Sequence, residues 1–117
     1  MLGEALWYLL FPTSVFSTRA FTICLMPLAL WGFHLFLSRR LPQTLPPALA
    51  VCLLALSFVF IDNAGFARPD LMCCTLGIWG LASYLLLRER SLSLAVLVAN
   101  SFIAASVLTH PNGVFHF

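Results

Sequence analysis

The sequence predicts an all-α fold: a polytopic integral membrane helical bundle of about four transmembrane helices, with a short interfacial helix ahead of them. Three observations predict it. Hydrophobic residues make up 62% of the 117 and charged residues 9%, with a mean hydropathy of +1.00, which is more apolar surface than one soluble core of this length can bury. Apolar runs of about 17 residues follow one another with only short polar segments between them, and that length is near the minimum that crosses a hydrocarbon core about 30 Å thick. The six basic residues are all arginines, standing singly or in pairs between the runs. A net charge of +2 spread in this way excludes a nucleic-acid partner. Residues 1–117 read as a single transmembrane domain.

Residues 5–12 are apolar and aromatic but too short to span. Trp7 and Tyr8 favour the headgroup level, and Pro12 closes the segment, so a surface-lying helix is expected. Residues 13–19 form a polar connection in which Ser17 or Thr18 is available as a helix cap. The first span is expected over 20–37, with Pro27 kinking it without ending it. His34, near its far end, fits a headgroup-facing or neighbour-bonded histidine.

The basic loop Ser38-Arg39-Arg40-Leu41-Pro42-Gln43-Thr44 precedes Pro46-Pro47, and proline suits a first helical turn. The second span is expected over 45–61, the third over 71–87 and the fourth over 92–108. Arg88-Glu89-Arg90 lies between the last two, with Ser91 as a cap. The turn Thr109-His110-Pro111-Asn112-Gly113 breaks the fourth helix, because proline disfavours helix at His110 and Asn-Gly is a turn signal. Cys24, Cys52, Cys73 and Cys74 all fall in apolar runs without metal-ligand spacing. They read as packing residues.

Four arginines (39, 40, 88 and 90) fall on one side of this arrangement and two (19 and 68) on the other. The positive-inside rule then places both basic loops in the cytoplasm and the break at 62–70, the His110 turn and both termini outside. The start lacks a basic n-region and a cleavage site, so no signal peptide is expected. An outer amino terminus without one, together with an apolar stretch resuming at Val114-Phe115, leads us to expect a fragment that lacks an upstream helix.

The polar break holds three of the ten charged residues. Pro69 and Asp70 form a helix start, where the dipole favours a carboxylate by about 0.3 to 1 kcal/mol. Arg68 has a plain reading as a snorkelling anchor. It also has a sharper one, since a guanidinium beside a helix N-terminus supplies bidentate donors and free amides to a phosphate. Such a phosphate in a membrane belongs to a lipid. Asp62, at the end of the preceding helix, prefers a cation, either Arg68 or a metal; otherwise it is a solvated loop carboxylate. His110 can meet Arg68 and Asp70 if the third and fourth spans pack as a hairpin. No cofactor is evident, and a divalent metal has a place only beside these carboxylates.

The run Ala67-Arg68-Pro69-Asp70, the helix ending Leu85-Leu86-Leu87-Arg88-Glu89-Arg90 and the close on Thr109-His110-Pro111-Asn112-Gly113 resemble the early part of GT-C glycosyltransferases. The nearest group is the dolichyl-phosphate-mannose protein mannosyltransferases (family 39) and their bacterial relatives. Ser17-Thr18-Arg19 and the helix ending in Arg39-Arg40 fit the same stretch. The resemblance implies a multi-pass protein of the bacterial plasma membrane. It would transfer a sugar from a polyprenyl-phosphate donor to an acceptor hydroxyl at the outer face, with membrane lipid and the remaining helices of a longer protein as partners. Arg68 would offset charge on the departing phosphate, Asp70 would orient Arg68, a sugar hydroxyl or a metal, and His110 would contact phosphate or acceptor. The family's catalytic base, an acidic residue in the first outer loop, has no match. Glu4 is the only acidic residue before Asp62, so the base is unknown and transfer by these residues alone is not expected. The rival reading is a non-enzymatic polytopic protein, either a transporter half or an assembly subunit.

Overall fold

A computed structural model of the chain describes residues 2–40, 46–65 and 69–109. They form six helices: α1 (Leu2–Leu10), α2 (Val15–Ser38), α3 (Pro47–Ala55), α4 (Phe58–Gly65), α5 (Pro69–Leu87) and α6 (Leu92–Thr109). No strand occurs among the described residues. Three of the helical stretches, Val15–Ser38, Asp70–Leu87 and Leu92–Thr109, are long and apolar enough to cross a membrane. The all-α membrane bundle expected from composition is what forms.

The bounds of the expected spans need correction. The helix expected over 45–61 is divided: α3 has 9 residues and α4 has 8, about 13 and 12 Å at 1.5 Å per residue, so neither crosses alone. Ser57 accounts for the division. Its backbone N–H turns back to the Leu54 carbonyl at 3.0 Å, closing α3. Its Oγ accepts from the Phe60 N–H at 3.3 Å and so caps α4, the alternative that serine offers a helical backbone. Pro47 does occupy the first turn of α3. The polar break also shrinks, because Asp62 to Gly65 continue α4.

The α2 helix starts at Val15 instead of residue 20, because Ser14 is its cap. The extended backbone of Ser14 lets its Oγ accept from the Ser17 N–H at 3.0 Å. Residues 15–19 of the connection expected over 13–19 are therefore its first turns. Pro27 lies inside α2 without ending it. Helix α1 ends at Leu10 and is tied to α2 by aromatic residues. The Trp7 indole N–H donates to Ser17 Oγ at 2.9 Å, Tyr8 and Thr18 hydroxyls share a hydrogen bond, and the Trp7 ring lies 5.4 Å from that of Phe21.

α5 is the central helix: 44% of its spanning window is buried, against 17% for α2 and 28% for α6. Small residues make that possible, as expected where lipid removes the hydrophobic drive between helices and close packing must replace it. A methyl group on Gly80 would lie 3.0 Å from Ile103 Cγ1 and 3.2 Å from the Ala99 carbonyl oxygen. Seven residues earlier, Ser106 Oγ donates to the Cys73 carbonyl at 3.0 Å and lies 3.2 Å from Cys73 Sγ. Pairing of Cys73 with Ser106 and of Gly80 with Ala99 makes α5 and α6 an antiparallel hairpin.

α2 runs parallel to α5. Leu25 and Leu28 line a cavity of about 300 Å³ with Met72, Thr75 and Trp79, while Gly32 lies against Ile78 and Trp79, so advancing along one helix advances along the other. An antiparallel pair meeting at Gly32 would put Leu25 about 20 Å from Met72. The Trp79 indole N–H fastens the contact by donating to the Leu28 carbonyl at 3.0 Å, and its ring meets that of Trp31 edge-on, 5.7 Å between centroids. Parallel α2 and α5 require the segment between them to return the chain from one end of the bundle to the other. α3 and α4 make that return in two pieces, both packed on α2, with α4 also touching α5. Exposed Arg39, Arg40, Arg88 and Arg90 consequently share one end.

Candidate functional site

The opposite end carries the start of α5. Asp70, in the first turn of that helix, is half-buried. The hairpin register that pairs Cys73 with Ser106 brings Asp70 level with Thr109, whose hydroxyl donates to the Ser106 carbonyl at 2.6 Å. The expected hairpin of the third and fourth spans thus forms, and it carries Asp70 and the last residue before the His110 turn to the same end. Arg68 and His110 themselves lie outside the described residues, so their convergence with Asp70 is not described.

Asp70 lines a groove of about 420 Å³ between α2, α5 and the broken α3–α4 segment. Phe33 and Ala29 form one wall, Leu71, Cys74 and Ile78 another, and Leu54, Ser57 and Phe60 the third. The last three recur at every third residue, which puts them on one face of the broken segment. From Asp70 to Ile78 the groove extends about 12 Å along α5, and Ser57 stands at a similar depth below Gly65. Its lining is apolar except for the Asp70 carboxyl, the Ser57 hydroxyl and the Cys74 thiol.

This arrangement suits an apolar chain lying along the bundle with a polar group held at the Asp70 end. Among the described residues it contains no paired carboxylates for acid–base work. Asp62, half-buried in the last turn of α4, has a helix position that the dipole disfavours for an anion. Among the described residues no three His, Cys, Asp or Glu side chains come together as a metal site would need.

Two groove residues escaped the sequence reading. Cys74 was assigned to packing, yet only its neighbour Cys73 is buried; Cys74 is exposed and faces the groove. Ser57 is by sequence one hydroxyl in an apolar run, and its only signal is its place inside a span whose remaining residues offer no cap. Comparison with protein-family models, with curated proteins and with solved structures found no match.

Proposed function

We propose that this chain forms part of a membrane glycosyltransferase of the bacterial plasma membrane, transferring a sugar from a polyprenyl-phosphate donor to an acceptor hydroxyl at the outer face. The observation that carries the reading is the apolar groove of about 420 Å³ that has Asp70 in its lining. A prenyl chain lies in such a slot with its phosphate at the mouth. Arg68 stands two residues before Asp70 in the chain, and a helix start beside a guanidinium is chemistry for a phosphate. Asp70 then orients Arg68, a sugar hydroxyl or a divalent metal, and His110 contacts phosphate or acceptor. The shared end of the four arginines 39, 40, 88 and 90 supports a cytoplasmic location for that end.

The test is turnover of a polyprenyl-phosphate sugar by the full-length protein in vesicles. Arg68→Lys keeps the charge but loses the bidentate fork. Loss of a charge-assisted hydrogen bond, about 1.5 to 3 kcal/mol, lowers the rate or donor affinity on the order of ten- to a hundredfold. Turnover within about twofold of the parent, with normal insertion, removes the phosphate site.

A second reading, a non-enzymatic polytopic protein such as a transporter half, is favoured by the discontinuous α3–α4 crossing, since broken helices commonly build transport sites at mid-membrane. Substrate flux across the vesicle without sugar transfer would select it.

A further inference from the structure

Asn100 stands midway along α6, which runs for 18 residues from Leu92 to Thr109. Its side chain is exposed on the outside of the bundle, and among the described residues its amide takes part in no hydrogen bond. The neighbouring hydroxyl behaves differently: Ser101 Oγ satisfies itself on the Leu97 carbonyl one turn back, at 2.8 Å. A carboxamide brings two donors and an acceptor. At the middle of a spanning helix there is no water to meet them, and leaving them bare in hydrocarbon is strongly unfavourable.

The surroundings of Asn100 are shaped for another helix. Ser93, Leu97, Asn100, Ala104 and Leu108 recur at intervals of three or four and are all exposed, so they form one stripe. The stripe faces away from Ala95, Ala99 and Ile103, which are buried on the side toward α5. Small side chains at Ser93, Ser101 and Ala104 let a second backbone approach closely enough for a side-chain amide to bond across the gap.

We infer that this stripe is the interface with a second copy of the chain, in which the two Asn100 amides donate to each other across a two-fold axis normal to the membrane. A second copy fits because a carboxamide is self-complementary. Two copies inserted the same way also meet each other at equal depth, so a mid-span residue faces itself. A different partner would have to bring its own polar group to that level. The inference stands independently of the proposed glycosyl transfer.

The experiment is energy transfer between donor- and acceptor-labelled full chains in phosphatidylcholine vesicles over a range of protein-to-lipid ratios. The parent chain is expected to dimerise, Asn100→Leu to weaken the dimer about tenfold, and Asn100→Gln, which keeps the amide, to stay within about threefold of the parent. In a background with the exposed Cys24, Cys52 and Cys74 changed to alanine, Leu97→Cys should oxidise to a covalent dimer. Ile23→Cys, on α2, should not. A chain that stays monomeric at every ratio would overturn the inference, as would an unchanged dimer in Asn100→Leu, or Leu97→Cys joining only to other membrane proteins.

Discussion

Gly80→Leu tests the packing that sets the whole bundle. A Cβ at this position meets Ile103 Cγ1 at 3.0 Å, the Ala99 carbonyl oxygen at 3.2 Å and Phe102 Cβ at 3.5 Å. Carbon atoms rest at about 3.5 to 4.0 Å, so the first methyl alone asks for about 0.5 Å of movement. Ile103 cannot swing aside cheaply, because a β-branched side chain in a helix keeps essentially one χ1 rotamer, and the Ala99 oxygen belongs to the backbone. Against this, leaving glycine for a good helix former gains about 1 kcal/mol. Overpacking costs about 1 to 3 kcal/mol. Gly80→Ala should therefore lie between no change and a loss of about 2 kcal/mol, the two effects nearly offsetting. Gly80→Leu adds three further carbons where no space exists, so it should reach a loss of about 2 to 3 kcal/mol and part the hairpin at the Ser106–Cys73 contact. Unfolding by dodecyl sulfate in mixed micelles, followed by the fluorescence of Trp31 and Trp79, reads this out. If Gly80→Leu unfolds within about 0.5 kcal/mol of the parent, α5 and α6 do not approach as closely as these distances require.

Ser106→Ala removes the donor to the Cys73 carbonyl and should cost about 0.6 to 1.7 kcal/mol in the same assay. An unchanged midpoint would mean that the bond is replaced or absent. Ser57→Ala takes away the oxygen that caps α4, a loss of about 0.5 to 2 kcal/mol locally. Amide exchange at Phe60 should quicken about tenfold, while exchange at Phe102 on α6 stays as it was. Single-cysteine labelling in a cysteine-free background should find Asn63 accessible from outside intact cells and Gln43 protected, and outside labelling of Gln43 would reverse the topology.

Composition and run length determined by themselves that this chain is an all-α membrane bundle, because 62% hydrophobic content leaves no other solvent for its side chains. They also located α5 and α6 to within two residues of Pro69–Leu87 and Leu92–Thr109, since Pro69 and the Arg88 to Ser91 segment are strong local stops. Only the tertiary structure decided the rest. Ser14 and not Ser17 starts α2, because the Ser14 hydroxyl accepts from the Ser17 N–H, while the Ser17 hydroxyl is engaged by Trp7, a contact between residues that local propensity cannot see. The division at Ser57 was invisible for a related reason: serine in an apolar run continues a helix or caps one almost equally well, and packing against α2 and α5 settles which. The groove that gives Asp70 a candidate role combines three separate segments of the chain, around Ala29, Ser57 and Cys74, and their meeting follows from the parallel register of α2 and α5, which depends on where Gly32 lets Trp79 come close.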